Sequence, residues 1–345
     1  MTHNPKLVLA VSSETISFTQ PFHISGYTFN DAPVVVATLA WDGRVGRGEA
    51  SGVYYRSETC ATMIAEIEAN RAAIEDGITR SELRQLVPAG GARNAIDCAL
   101  WDLEAKLEGR PVWKIAGIPS PKPLLTTFTL GADVPERMVA EAREFGDARA
   151  LKLKLTGEDV ALDAERVRAV WSARPDVWLA VDANQGFTPD TLETLMPTLV
   201  EARVKLIEQP FAVGREADMA GLRLPIPTAA DESVQTLDDL EKLVGRFDIV
   251  NIKLDKCGGL TEALMIEKRA RELGLGVMVG NMIGTSWAMA PAFVVGQFCD
   301  VVDLDGPIYM TQDRQPSVTY ENGYIASSDA VWGGPGGADR GAAPA

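Results

Sequence analysis

Six short apolar stretches in this sequence end in charged residues, and the charges are of the kinds that move protons and hold cations. In Leu151-Lys152-Leu153-Lys154-Leu155 a period of two puts both lysines on one face and the leucines on the other. Each ammonium raises the cost of charging the other, so one lysine of such a pair is expected to titrate closer to working pH. Three further stretches read Val181-Asp182-Ala183-Asn184, Ile207-Glu208-Gln209-Pro210 and Ala229-Ala230-Asp231-Glu232. Asp182 to Glu208 is 26 positions and Glu208 to Asp231 is 23, about one strand–helix unit each time. Any one of these acids alone would serve as a helix N-cap. Three in register repel one another unless a cation joins them, and all-oxygen ligation suits a hard ion such as Mg²⁺. Asn184 and Glu232 are expected to support that trio, with Glu232 alternatively a capping acid.

A fifth stretch, Ile249-Val250-Asn251-Ile252-Lys253, ends in a third lysine, with Lys256 a competitor further into the loop. The last, Asp303-Leu304-Asp305, carries two aspartates on one face. A paired acidic site suits a substrate cation; a loop cap plus a turn aspartate is the alternative.

The elements that must position these residues follow from the periodicity. From about Leu124, apolar runs alternate with amphipathic segments: Leu124–Leu130, Ala150–Leu155, Val177–Ala183, Val204–Glu208, Pro225–Asp231, Asp248–Lys253, Leu275–Gly280 and Val301–Asp305. Eight strands with crossovers argue for a closed parallel barrel, whose active sites lie at the C-terminal strand ends. Both faces of such strands are buried, so the lysine face of 151–155 points into the barrel interior, where an unpaired lysine is costly. No clear helix follows the eighth strand, giving a (β/α)7β variant of the TIM barrel within the α/β class. Before it, residues 1–123 read as an α+β capping domain. Strands are expected at Leu7–Phe18 and Pro33–Trp41, a Gly-rich turn and short strand over Arg44–Glu49, and helices at Ser57–Glu75 and Ala92–Glu108. Gly109 and Pro111 stop the second helix, and Pro119, Pro121 and Pro123 mark the boundary. The barrel is expected over 124–316. Residues 317–345 are expected to return to and complete the cap, with a disordered tail from Gly333.

Composition excludes other chemistries. The 345 residues carry a net charge of −15 with no basic run, which argues against nucleic acid and anionic membranes as partners. No signal-like segment or membrane-length apolar run occurs, and the four cysteines form no C-x-x-C pair, so a cytoplasmic enzyme is expected. The two histidines, His3 and His23, lie near the N-terminus, so acid–base work later in the chain falls to other residues.

The pattern resembles the enolase superfamily, in its muconate-lactonizing-enzyme subgroup. The marks are Lys152-x-Lys154, the acids Asp182, Glu208 and Asp231, the Asn251-Ile252-Lys253 triplet and the helix segment Ala95–Asp102. The mandelate racemase branch needs a histidine late in the barrel, which this chain lacks. The resemblance implies Mg²⁺ held by Asp182, Glu208 and Asp231, and Lys154 and Lys253 as the catalytic pair on opposite faces of the substrate. Within the subgroup, Asp303-x-Asp305 looks like that of the dipeptide epimerases. There the pair, with Lys152 nearby, would bind a small-molecule dipeptide by its free ammonium. The implied reaction is Mg²⁺-dependent epimerisation at the α-carbon of the C-terminal residue through an enediolate, on L-Ala-D/L-Glu or a related dipeptide. The segment His23–Asp31, expected as a cap loop that would reach over the substrate, has no Arg or Lys for a glutamate side chain, and Arg56, on the second cap loop, is a weak substitute. N-succinylamino acid racemisation, o-succinylbenzoate synthesis and cycloisomerisation are the alternatives within the subgroup, and a non-catalytic barrel binder the alternative outside it. The sequence leaves a homo-oligomer open.

Overall fold

The computed structural model of the protein describes residues 6–24 and 26–336. The N-terminal residues up to 5, with His3, and the tail from residue 337 lie outside the described residues. The chain opens with three antiparallel strands, β1 (Val8–Ile24), β2 (Tyr27–Trp41) and β3 (Arg44–Ser51). Helices α1 (Cys60–Ala69), α2 (Arg71–Glu75), α3 (Arg80–Leu86) and α4 (Gly91–Glu108) follow. The short α3, held by a reciprocal Thr79–Glu82 cap, is an element the periodicity did not predict. The expected helix over 57–75 is two helices, preceded by a 3₁₀ turn at Tyr54–Arg56. The second expected helix is α4, which stops at Gly109 in the left-handed region.

Gly46 and Gly48 let β3 lie directly on α4. A Cβ at Gly48 would stand 2.0 Å from the Ala95 carbonyl oxygen, and one at Gly46 would stand 2.1 Å from that of Ala99. The glycines there serve helix–strand contact as well as the preceding turn. The resulting core of the cap gathers Val35, Leu39, Met63, Ile67, Ile96 and Leu103.

The expected loop at His23–Asp31 is the tip of a hairpin. After an irregularity between Ser17 and Phe22, pairing resumes as Phe22↔Phe29, His23↔Thr28 and Ile24↔Tyr27. Alternating aromatic and β-branched residues on both arms explain why strand geometry persists to the turn.

After a single helical turn, α5 (Val112–Ile115), the first expected barrel strand proves to be two pieces. β4 (Leu124–Leu125) belongs to a separate small sheet, and β5 (Phe128–Leu130) opens the barrel. The barrel continues through α6 (Pro135–Glu144), β6 (Ala150–Lys154), α7 (Val160–Ala173), β7 (Trp178–Asp182), α8 (Pro189–Glu201), β8 (Leu206–Glu208) and β9 (Thr228–Ala230). It closes through β10 (Ile249–Ile252), α9 (Leu254–Cys257), α10 (Leu260–Glu272), β11 (Gly276–Val279), α11 (Ser286–Gly296) and β12 (Val301–Val302). The crossovers after β8 and β9 carry 3₁₀ helices, and a 3₁₀ turn at Gly306–Tyr309 follows β12. The eight strands are parallel neighbours in chain order from β5 to β12, and the Thr127 N–H donates to the Val302 carbonyl across the seam at 3.1 Å.

After the barrel, β13 (Thr319–Glu321) and β14 (Tyr324–Ala326) pair with β4. The chain then packs on the cap: the Trp332 indole donates to the Arg47 carbonyl at 2.7 Å, and the Gly333 N–H donates to Asp102 at 3.0 Å. The disordered tail expected from Gly333 is therefore corrected for Gly333, which is buried and bonded on both its N–H and its carbonyl, and for Gly334, which is buried; its remainder from 337 lies outside the described residues.

Candidate active site

A period-two alternation builds the site. At the N-terminal end of the barrel interior, Ala180, Leu206, Ala229 and Met278 form an apolar plug. Two residues further along three of these strands, on the same face, stand Asp182, Glu208 and Asp231. The same step leads from Lys152 to Lys154, from Ile249 through Asn251 to Lys253, and from Val301 to Asp303. The interior is thus apolar at its base and ionic at its mouth, where it opens into a cavity of about 400 Å³ roofed by the hairpin tip. Lys152, Lys154, Lys253, Asp303 and Asp305 line that cavity.

Register sets the order of charges. Lys154, Asp182 and Glu208 are successive lateral partners on β6, β7 and β8. Lys154 Nζ donates to Asp182 at 2.6 Å, and Lys253 Nζ donates to Asp231 at 2.7 Å. Strands β6 and β10 are four places apart among the eight, so the two lysines approach from opposite sides. Lys253 stands one residue beyond the end of β10, still extended at φ −126°. Lys256, the competitor, is fully buried under Asp231 and donates to its carboxylate, its carbonyl and the Asn251 carbonyl. It does not line the cavity.

Lys152 joins the two ends of the site. Its ammonium donates to Asp303 and lies 3.4 Å from Glu208 and 3.8 Å from Asp182. Asp305 accepts from the Thr129 N–H at 2.9 Å and from the Tyr309 hydroxyl at 3.1 Å. Thr127 and Thr129 were not legible in the sequence, because they reach Asp303 and Asp305 only across the seam, and Tyr309 was not, because it meets Asp305 only through the 3₁₀ turn that folds it back four residues later.

Two more residues were noted in the sequence without a role. Asn251 donates to Glu208 at 2.7 Å from a stretch notable in sequence for its lysine. Gly280 makes room for it: a Cβ there would stand 2.8 Å from the Asn251 side chain and 3.1 Å from Lys253 Cε. A glycine ending an otherwise apolar run was the available signal. Asn184, Gln185 and Gln209 adopt positive φ just past β7 and β8, a placement of backbone strain typical of functional sites.

The electrostatics correct one expectation. Burial opposes the charge of Lys152, yet Asp303, Glu208 and Asp182 outweigh it and hold the proton more firmly than usual. Lys253 behaves likewise: burial is overcome by Asp231 and Glu208. For Lys152 and Lys253 the neighbouring carboxylates, not a second lysine, therefore set the direction. The acids record the same crowding. Burial, then Asp182, pushes Glu208 up to about 7, and burial with Asp231 and Asp182 pushes Glu232 up to about 8.

Among the described residues, no three His, Cys, Asp or Glu side chains stand ready as an ion cage. The three carboxylates face lysines instead. Their chemistry nevertheless fits a hard cation. Asp182, Glu208 and Asp231 are buried oxygen donors on adjacent strands, and beside them Asn184 Oδ1, Asn251 Oδ1 and Glu232 Oε2 are buried without a hydrogen-bond partner.

Comparison with known proteins supplies the family. Residues 7–117 match the mandelate racemase / muconate lactonizing enzyme N-terminal domain, and residues 136–336 match the enolase C-terminal domain-like family. The L-Ala-D/L-Glu epimerase of Escherichia coli is 37% identical over 88% of this chain and 95% of its own. An N-acetyl-D-glutamate racemase from Pseudoalteromonas is 39% identical over 75% of this chain and 82% of its own. Among solved structures, an Agrobacterium tumefaciens enolase family member with bound sodium and L-Ala-L-Glu superposes with a TM-score of 0.91 at 38% identity, covering 95% of this chain and all of that one. A Methylococcus capsulatus dipeptide epimerase complexed with Mg and L-Arg-D-Lys gives 0.88 at 30% identity, covering 94% and 97%. With both domains matched and the barrel's charges in register, this chain belongs to the mandelate racemase / muconate lactonizing enzyme family of the enolase superfamily.

Proposed function

We propose that the protein is a Mg²⁺-dependent dipeptide epimerase, inverting the α-carbon of the C-terminal residue. The observation that carries this reading is one cavity with two opposed lysines, Lys154 and Lys253, over a carboxylate trio at one end and the Asp303/Asp305 pair at the other. In this reading Lys154 removes or delivers the α-proton on one face and Lys253 on the other. Two-face chemistry requires a base and an acid on opposite sides, and a one-face reaction would leave one lysine idle. When held by Asp182, Glu208 and Asp231, Mg²⁺ supplies positive charge for the substrate carboxylate and for the negative charge that builds as the proton leaves. Asp303 and Asp305 receive the free ammonium of the dipeptide. Lys152 holds Asp303 in place and tempers the repulsion among the acids. Four free cysteines and the absence of a membrane-length apolar helix among the described residues support a cytosolic setting.

A second reading, racemisation of an N-acylated amino acid, is favoured by the Lys152–Asp303 contact, which already neutralises one acid at the amino end. Incubation in deuterated water separates the two. Free dipeptides that gain one deuterium at the C-terminal α-carbon while inverting support the proposal. Exchange confined to N-acyl amino acids refutes it.

A further inference from the structure

The roof of the cavity has a composition of its own. The hairpin tip contributes Phe22, Ile24 and Phe29, and the turn after β3 contributes Tyr54. Phe29 meets Tyr54 edge-on at 5.2 Å, and Tyr27 meets Tyr54 at 4.6 Å. Tyr54 packs against Tyr55 at 5.1 Å, whose hydroxyl accepts from Gln235, which also donates to the Glu232 carbonyl. That chain fixes the Phe29–Tyr54 patch above the Asp231–Lys253 end, where the reacting residue would sit. Phe22 packs at a tilt, 5.2 Å between ring centres, against Tyr309, which donates to Asp305. Phe22 therefore covers the amino end.

The charges available to a substrate side chain are one-sided. Among the described residues, no Arg or Lys of the cap lines the cavity; Arg56 is exposed and outside it. The three lysines that do line it are each bound to a carboxylate at the barrel mouth. The cap's charged lining residues are Asp31 and Glu58. Both oxygens of Glu58 accept backbone N–H groups, from Val53 at 3.0 Å and Gly91 at 2.9 Å, so they are already committed. A carboxylate side chain brought here would lose water and meet aromatic rings and acids without a counter-charge. An apolar side chain would bury its surface against Phe29 and Tyr54.

We infer that the substrates are dipeptides with apolar side chains, aromatic or branched, at both positions, and that an acidic C-terminal residue is selected against. The inference rests on the dipeptide reading above. It departs from the acidic second residue in the name of the Escherichia coli relative.

The test uses the full-length protein with Mg²⁺ in deuterated water, comparing kcat/KM for L-Leu-L-Phe, L-Leu-L-Glu and L-Leu-L-Lys, with N-acetyl-L-Phe as control. L-Leu-L-Phe is expected to exceed L-Leu-L-Glu by about 10²-fold, the scale on which apolar pockets discriminate. Equal or faster turnover of the Glu or Lys dipeptide overturns the apolar assignment while leaving the dipeptide reading intact. Exchange of the control alone overturns both. Phe29→Arg, checked for folding by circular dichroism, is expected to cut the Phe-to-Glu ratio at least about tenfold by supplying the missing cation, whereas Phe29→Leu preserves it. An unchanged ratio in a folded Phe29→Arg protein overturns the placement of Phe29 over the reacting residue.

Discussion

Lys152 on the second barrel strand donates to Asp303 at the end of the eighth, reaching across the first strand and the barrel seam. The contact ties the end of the cavity proposed for the cation to the end proposed for the substrate ammonium, and it gives the ammonium a competitor. An incoming ammonium must share Asp303 with Lys152 and finds in Asp305 an acid whose carboxyl is raised by burial and by Asp303. A positive charge bound there would offset both by favouring the ionised carboxylate.

From this follows the prediction for Asp303→Asn combined with Asp305→Asn. A charge-assisted contact to a buried ammonium is worth about 1.5–3 kcal/mol. Free dipeptides should be preferred over N-acetylated or N-succinylated analogues by roughly 10²-fold or more in kcat/KM. The double variant should lose most of that preference while its Mg²⁺ affinity, read by calorimetry, stays near that of the unaltered protein. N-acyl amino acids turned over as fast as the best dipeptide would sink the reading.

The two lysines should fail differently. Lys154→Ala and Lys253→Ala should each lower epimerisation by about 10²–10⁴-fold. Each should still exchange the α-proton of one stereoisomer through the remaining lysine, and the two variants should retain opposite stereoisomers. Mass spectrometry of each isomer in deuterated water reads this directly. Retention of near-normal epimerisation by either variant rules out the two-base assignment.

Removing divalent cations should abolish activity, and Mg²⁺ should restore it. Asp182→Asn, Glu208→Gln and Asp231→Asn should each weaken Mg²⁺ binding measured by titration calorimetry, because each removes an anionic oxygen from a three-carboxylate set. Undiminished turnover in excess chelator contradicts the metal assignment.

Gly280→Ala should leave the fold intact and slow the reaction. The added methyl would press on the Asn251 side chain at 2.8 Å and on Lys253 Cε at 3.1 Å, displacing flexible atoms rather than backbone. kcat should fall more than KM rises, with an unchanged melting temperature. A loss of melting temperature without a change in kcat would mean that Gly280 serves packing alone.

Gly48→Ala should do the reverse. Its Cβ would fall 2.0 Å from a backbone carbonyl of α4, so strand and helix must separate. Overpacking of this kind costs about 1–3 kcal/mol and sometimes more, visible as a lower melting temperature with kcat per folded molecule preserved. An unaltered melting temperature would show that β3 and α4 separate without cost.

What the sequence determined by itself was whatever depends on local period and spacing. Two-residue alternation put Lys152 and Lys154 on one face, and repeats of 26 and 23 positions lined up Asp182, Glu208 and Asp231. Both follow from strand geometry and from the constant length of a strand–helix unit, so the eight strands and the charged barrel mouth were legible before any coordinates. Tertiary structure alone decided what depends on contacts between distant segments. Lys152 meets Asp303 because the barrel closes, and no local pattern records the 151 positions between them. The easier deprotonation that lysine spacing suggests does not hold for Lys152, because Asp303, Glu208 and Asp182, brought in from other strands, hold its proton. The segment His23–Asp31 read as a loop because its pairing depends on both arms finding each other past an irregularity. Gly48 read as part of a turn because the helix it touches begins more than forty positions later. Periodicity fixes the face a side chain takes; chain closure fixes the partner it meets there.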